Sequence, residues 1–153
     1  MMLGGDAEAL KKARPVLAAM TTRFMHMGAT GSGQATKAVN QIMCAGINQA
    51  VTEALAFAQA QGLAMDKVID VISGGASGNW FLEQRGSTMT KGTYAPGFKL
   101  ALHHKDLKIC QEMASQTGFL IPLTDITVSD YEQLMTKGYG DEDISALYRL
   151  KKR

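Results

Sequence analysis

The chain has 153 residues, enough for one ordinary domain. Hydrophobic residues make up 46% and charged residues 20%, a globular balance, and the formal net charge of +2 gives no ground for a nucleic-acid or anionic-membrane partner. No stretch approaches the roughly 20 apolar residues of a membrane span, and the start, Met1 to Asp6, lacks the basic and apolar regions of a secretory signal. The two cysteines, Cys44 and Cys110, sit in apolar, helix-like context without ligand spacing. They read as buried, reduced thiols of a cytoplasmic protein. Ten methionines suggest a helical core filled with adaptable side chains.

In chain order, Asp6 caps a helix running from Ala7 to about Ala19, with Pro15 forcing a bend or restart. Phe24 to Met27 reads as a short strand ended by Gly28. A lone strand leaves backbone groups unpaired, so this segment looks like the tail of a sheet whose other strands lie elsewhere. Next comes Gly28-Ala-Thr-Gly31-Ser-Gly33-Gln-Ala-Thr-Lys37-Ala-Val-Asn40-Gln41, a glycine-rich turn feeding a helix. From Gln34 to about Gln61 apolar residues recur at three- and four-residue steps, which predicts a helix of about 27 residues, or ~40 Å. Its small residues (Ala38, Ala45, Gly46, Ala50, Ala54) permit close helix packing, as the spine of an all-α bundle or a dimer seam.

Shorter helices follow. One opens at Asp66, runs through Ile72 and ends in the glycine loop Ser73–Gly78, read as flexible. Another spans Trp80 to Arg85 and stops at Gly86; Tyr94 to Gly97 is a turn. Helices are expected from Phe98 to Thr117, closed by Gly118, and from Pro122 to about Lys137. A last short helix begins at Gly140-Asp141, and its basic end, Arg149 to Arg153, suits a helix C-terminus.

The glycine turn is not a phosphate loop of either common kind. Gln34, not lysine, follows Gly33, and Thr36 stands where the dinucleotide fingerprint needs its third glycine. Lys37, Asn40 and Gln41 share one helical face at i, i+3 and i+4, so they could converge on one small polar ligand near the helix start. A lysine there suits acid or base work on an alcohol or carbonyl; the plainer alternative is a solvated lysine on a connector. His103 and His104 are adjacent, so on a helix they diverge by about 100° and make a poor metal pair. Lys105 follows Phe98 by seven residues, on the same face if both are helical, where ring and ammonium could flank a planar cofactor or a carboxylate. Trp80 reads first as a core anchor, although the glycines before it could make a pocket wall.

Together, Gly31-Ser-Gly33 through Lys37, Asn40 and Gln41, then Gly74-Gly75-Ala76, Pro96-Gly97-Phe98 and Lys105-Asp106-Leu107, resemble the β-hydroxyacid dehydrogenases. That family includes 3-hydroxyisobutyrate dehydrogenase and tartronate semialdehyde reductase, with 6-phosphogluconate dehydrogenase as a distant relative. The resemblance implies a mainly α fold: an all-helical domain with a long central helix over residues 30–153, serving substrate binding and dimerisation. Residues 1–29 would be a strand–helix–strand remnant of a Rossmann domain.

By resemblance, Lys37 is the catalytic lysine. The helper amide stands four residues on in the family, as asparagine; here Asn40 is three after and Gln41 four after, and both are candidates. Lys105 matches a lysine that contacts the cofactor, NAD or NADP, near its nicotinamide, with Phe98 at the same end. Phe98 and Asp106 match positions that shape the substrate pocket, and Gly33 and Trp80 fall in substrate-facing stretches. The implied substrate is a small 3-hydroxy acid or its semialdehyde, and the implied partner a second copy of the chain. The fingerprint glycines for the pyrophosphate are absent from the sequence, so the chain alone is expected to be inactive. The rival reading is a non-catalytic helical dimerisation or interaction module, and a weaker third is a phosphate-binding protein.

Overall fold

A computed structural model describes residues Met1–Lys152; Arg153, the last of the basic tail, lies outside the described residues. The elements in order are β1 (Met2–Leu3), α1 (Ala7–Met20), β2 (Met25–His26), α2 (Ser32–Ala60), α3 (Met65–Ser73), α4 (Trp80–Thr90), α5 (Leu100–Thr117), α6 (Pro122–Thr136), a 3-10 turn (Ile144–Leu147) and α7 (Tyr148–Lys151). Two compact units result, Met1–Gln41 and the rest from Ile42, with the division falling inside α2.

The first unit is a small parallel β–α–β turn. Asp6 caps α1 by accepting the Ala9 N–H at 2.8 Å, as its type and position predict. α1 runs unbroken through Pro15, contrary to the expected bend or restart, giving up one i→i−4 hydrogen bond there. The strand at Met25–His26 is not alone: it pairs in parallel with Met2–Leu3, in register Met2 to Met25 and Leu3 to His26. Two residues of strand are too short for any period to reveal. α1 contributes no buried residue, and Val16, Met20 and Met25 are exposed.

The second unit carries a contiguous core. α3 packs on α4, α5 packs on α6, and the 3-10 turn meets α4, α5, α6 and α7. Leu55, Phe81, Leu82, Met89, Leu100, Leu107, Tyr131, Leu134, Leu147 and Tyr148 fill it. The methionine-rich core expected from composition is not found: Met89 is in it, while Met20, Met25, Met43 and Met135 are exposed. A polar knot crosses the core. Asn48 Nδ2 donates to the Tyr131 hydroxyl oxygen at 2.9 Å and to the Ile144 carbonyl at 2.8 Å, and His103 Nδ1 lies 3.0 Å from the same hydroxyl. Burial pushes the Tyr131 phenol well above its ordinary range, with the Asn48 hydrogen bond opposing.

Several features of the shorter helices differ from the sequence expectation. α4 continues past Gly86 to Thr90, because that glycine is buried against α3: a Cβ there would sit 3.2 Å from Ile69 Cδ1. The loop after α3 forms tight turns, with Gly75 N–H on the Ile72 carbonyl (2.9 Å) and Gly78 N–H on the Gly75 carbonyl (3.0 Å). The last helical segment starts at Ile144, not Gly140, in 3-10 form with Asp143 as its cap. Arg149 and Lys151 lie in the last turn of α7, as expected, and Arg149 also forks onto Glu142 through two 2.9 Å bonds, with the rings of Tyr94 and Tyr139 at 4.4 and 4.3 Å.

Candidate functional site

In the first unit the glycine turn brings two backbones together. Gly33 is buried, and a Cβ on it would lie 2.8 Å from the Met2 carbonyl oxygen and 2.9 Å from the Gly4 nitrogen. The start of α2 therefore rests directly on β1, which sets the helix direction one turn before Lys37. Lys37 is exposed on α2, on one face with Asn40 and Gln41. Asn40 Nδ2 donates to Gln41 Oε1 at 2.8 Å; Gln41 is 2% exposed, while Asn40 is exposed. The two amides differ accordingly: one is open, the other is buried behind it.

In the second unit a cavity of about 300 Å³ is lined by Cys44, Ile47, Trp80, Phe81, Arg85, Gly97, Phe98, Asp143 and Ile144. Its organising group is Asp143, 1% exposed. Oδ2 accepts the Gly97 N–H at 2.9 Å and the Phe98 N–H at 3.1 Å; Oδ1 accepts the Ser145 N–H at 3.1 Å and meets Arg85 Nε at 3.3 Å. Burial would raise its pKa, but the Ser145, Phe98 and Gly97 hydrogen bonds outweigh it and hold the carboxyl below the usual range. The segment carrying Phe98 is stitched down further by the Ile144 N–H on the Phe98 carbonyl (3.0 Å) and the Asp143 N–H on the Tyr94 carbonyl (3.0 Å). A wider groove of about 620 Å³ near Phe57, Leu150 and Lys151 holds none of the candidate residues.

Trp80 and Phe98 thus stand together on this cavity, one residue from α4 and one from the loop before α5. Trp80 is 65% exposed with the Arg85 guanidinium 5.4 Å from its ring centre, so it is not the core anchor its rarity suggests. Phe98 precedes α5 by two residues, so the helical face assumed for Phe98 and Lys105 does not exist. Its ring packs 5.3 Å from that of His103 instead. Lys105 and Asp106 lie on α5, paired at 3.0 Å, and do not line the cavity. His103 is buried at Tyr131 and His104 Nε2 lies 3.4 Å from Glu132, so the adjacent histidines do diverge. Among the described residues no group of three or more His, Cys, Asp or Glu is placed to hold a metal ion. Cys110 is buried, but Cys44 is only half-buried and lines the cavity, against the expectation for both. Asp143 and Arg85 carry no motif; the local signal at Asp143, an aspartate ahead of an apolar run, announces a helix cap and nothing more.

Residues 31–151 match the family model described as the NAD-binding domain of NADP-dependent 3-hydroxyisobutyrate dehydrogenase. The chain belongs to that family. Among curated relatives, an uncharacterized oxidoreductase of Shewanella frigidimarina is 38% identical, over 99% of this chain and 53% of its own length. The NAD-dependent L-serine dehydrogenase of Pseudomonas aeruginosa is 33% identical, over 97% and 52%. The solved 3-hydroxyisobutyrate dehydrogenase of Mycobacterium tuberculosis, determined with L-serine, superposes with a TM-score of 0.86 at 31% identity, over 98% of this chain and 54% of that one. The chain spans about half the length of the relatives it matches. The mainly α architecture with its long α2 is that of this family. No helix of the described residues is long and apolar enough to cross a membrane.

Proposed function

We propose that this chain is the C-terminal part of an NAD- or NADP-dependent oxidoreductase that interconverts a small 3-hydroxy acid and its semialdehyde. The observation that carries the reading is Lys37, exposed on α2 one turn past the buried Gly33, inside the matched segment. Lys37 donates a proton to the carbonyl oxygen as the semialdehyde is reduced, and takes it back from the hydroxyl in the other direction. Asn40 is the amide that meets substrate, and Gln41, buried, holds it through the 2.8 Å hydrogen bond. Gly33 serves by its close approach, which fixes where Lys37 begins its reach.

The second unit has an aromatic cavity of its own. Its volume is at the small end for ligand pockets, which suits one ring and a short side group rather than a dinucleotide. Phe98 and Trp80, which both line it, would therefore hold the nicotinamide end or the substrate's side group, while the cofactor contact of Lys105 and the substrate contact of Asp106 rest on the resemblance alone. When bound, the dinucleotide supplies or accepts the hydride. Residues 1–29 are taken as the last β–α–β turn of a dinucleotide-binding domain and 30–153 as the substrate and self-association domain. The exposed Val16, Met20 and Met25 and the two-strand sheet support the first assignment. Exposed Phe119, Leu120 and Ile126 support the second, as they do the alternative of a non-catalytic dimerisation module. A cytoplasmic location belongs to the same proposal.

The chain alone is expected to give no NADH- or NADPH-dependent turnover. Joined to the half of the Pseudomonas aeruginosa relative that it does not match, it should oxidise 3-hydroxyisobutyrate. Lys37→Met should then lower kcat by about 10² to 10⁴ without changing the oligomeric state. Turnover by the bare chain would overturn the fragment reading, a Lys37→Met enzyme within three-fold of its parent would overturn the role of Lys37, and a joined protein that self-associates without turnover would leave the dimerisation module.

A further inference from the structure

One carboxylate ties together both aromatic walls of the second-unit cavity. Through Oδ2, Asp143 holds the backbone N–H groups of Gly97 and Phe98. Through Oδ1 it meets Arg85 Nε at 3.3 Å, and the Arg85 guanidinium lies 5.4 Å from the centre of the Trp80 ring. Gly97 leaves room for this crossing, since any Cβ there would collide with Arg85 Nη2. The ion pair is asymmetric in what it shows to solvent: Asp143 is 1% exposed and Arg85 23% by side chain. Both members line the cavity with Ile47, Phe81 and Ile144, but Arg85 is the more exposed of the two.

We propose that Arg85, anchored by Asp143, is a positioning and specificity-determining residue: it sets where the Trp80 indole stands in the cavity that Phe98 also lines, and it makes the cavity prefer an apolar side group to a cationic one. The guanidinium does the first through its cation–π contact with the indole at 5.4 Å, which a lysine ammonium makes less well. Its charge does the second, because an incoming ammonium meets a like charge in a partly desolvated wall. With the proposed reaction, on which the choice of substrate rests, the side group in question is the one beside the carboxylate. 3-Hydroxyisobutyrate and L-serine are then a matched pair, the same skeleton with a methyl or an ammonium at that place.

Trp80 is the only tryptophan, so intrinsic emission reads its ring alone. The first arm compares the unliganded chain with its Arg85→Met and Arg85→Lys variants, each checked for an unchanged helical circular dichroism spectrum. Arg85→Met should shift the emission maximum to the red and raise the acrylamide quenching constant about two-fold, and Arg85→Lys should restore part of both. The second arm titrates the same proteins with 3-hydroxyisobutyrate and with L-serine, following Trp80. The parent should bind the methyl compound more tightly. Arg85→Met should shrink that preference on the order of five-fold, an effect of the size of one partly exposed charge pair, while Arg85→Lys keeps it.

Unaltered emission and quenching in Arg85→Met overturns the positioning role, and where that variant fails to fold, Arg85→Lys with unaltered emission does so. An unchanged preference, or no response to either compound, overturns the specificity role. Neither arm needs turnover. If the joined enzyme of the preceding section is inactive with both compounds, the oxidoreductase reading fails while these two arms still decide the role of Arg85.

Discussion

Gly33→Ala puts a methyl group where two backbones already touch. The new Cβ would lie 2.8 Å from the Met2 carbonyl oxygen, 2.9 Å from the Gly4 nitrogen and 3.2 Å from the Leu3 carbonyl carbon. None of these atoms belongs to a side chain that could rotate away, so β1 must withdraw by about half an ångström to reach ordinary contact. Alanine favours the helical state by about 0.5–1 kcal/mol over glycine, and overpacking of this kind costs about 1–3 kcal/mol. The net expectation is a loss of roughly 1–2 kcal/mol in the first unit. It should fall on the bonds that flank the strand pair, Met25 N–H to the Met1 carbonyl (3.0 Å), Met27 N–H to the Leu3 carbonyl (2.7 Å) and Gly5 N–H to the Gly28 carbonyl (2.9 Å). Amide hydrogen exchange at Met25, Met27 and Gly5 should therefore speed up about 5- to 30-fold. Gly46→Ala is the control, because its Cβ meets only the Leu123 Cδ2 methyl, at 3.0 Å, the movable end of a side chain. Exchange at those three amides that is unchanged or slower in Gly33→Ala would refute the claim that this glycine exists for backbone contact.

Tyr131→Phe removes the hydroxyl that both Asn48 Nδ2 and His103 Nδ1 meet in the core, and should cost about 1–3 kcal/mol in urea unfolding. The same variant should lose part of the alkaline fall in stability. Tyr131 holds its proton more tightly in the fold than unfolded, so its contribution is complete below about pH 10 and is lost as pH rises toward the raised folded value. Asp143 behaves oppositely. Its folded pKa is depressed, so its contribution is complete above about pH 4 and is lost as pH falls through the lower folded value. Asp143→Asn should flatten the acid limb of urea midpoint against pH, and an unchanged limb would count against the hydrogen-bond set at that carboxylate. Pro15→Ala should stabilise the first unit by about 1–3 kcal/mol, since Pro15 is exposed in an unbroken helix and alanine restores the missing N–H; a thermal melt that moves down contradicts this.

What could be read from the sequence alone were features whose cause is local. Asp6, Gly118 and Pro122 act within a turn of where they stand, and they mark helix ends in the structure as their chemistry requires. The apolar steps of α2 are long enough to be unmistakable, and Lys37, Asn40 and Gln41 inherit one face from helical spacing alone. What stayed hidden depends on residues far apart in the chain. Gly86 looks like a stop until Ile69 is seen against it, and Trp80 looks like core until its exposure is known. Phe98 and Lys105 were paired by a helix that starts two residues too late to include both. Asp143 is the sharpest case. Its link to Ser145 is local and legible as a cap, whereas its bonds to Gly97 and Phe98 span 46 and 45 residues, and no period or motif encodes them. The residue that shapes the cavity is therefore the one whose sequence context promised least. A carboxylate that is 1% exposed yet remains ionised needs several donors converging on it, and such convergence becomes visible only when the chain is folded.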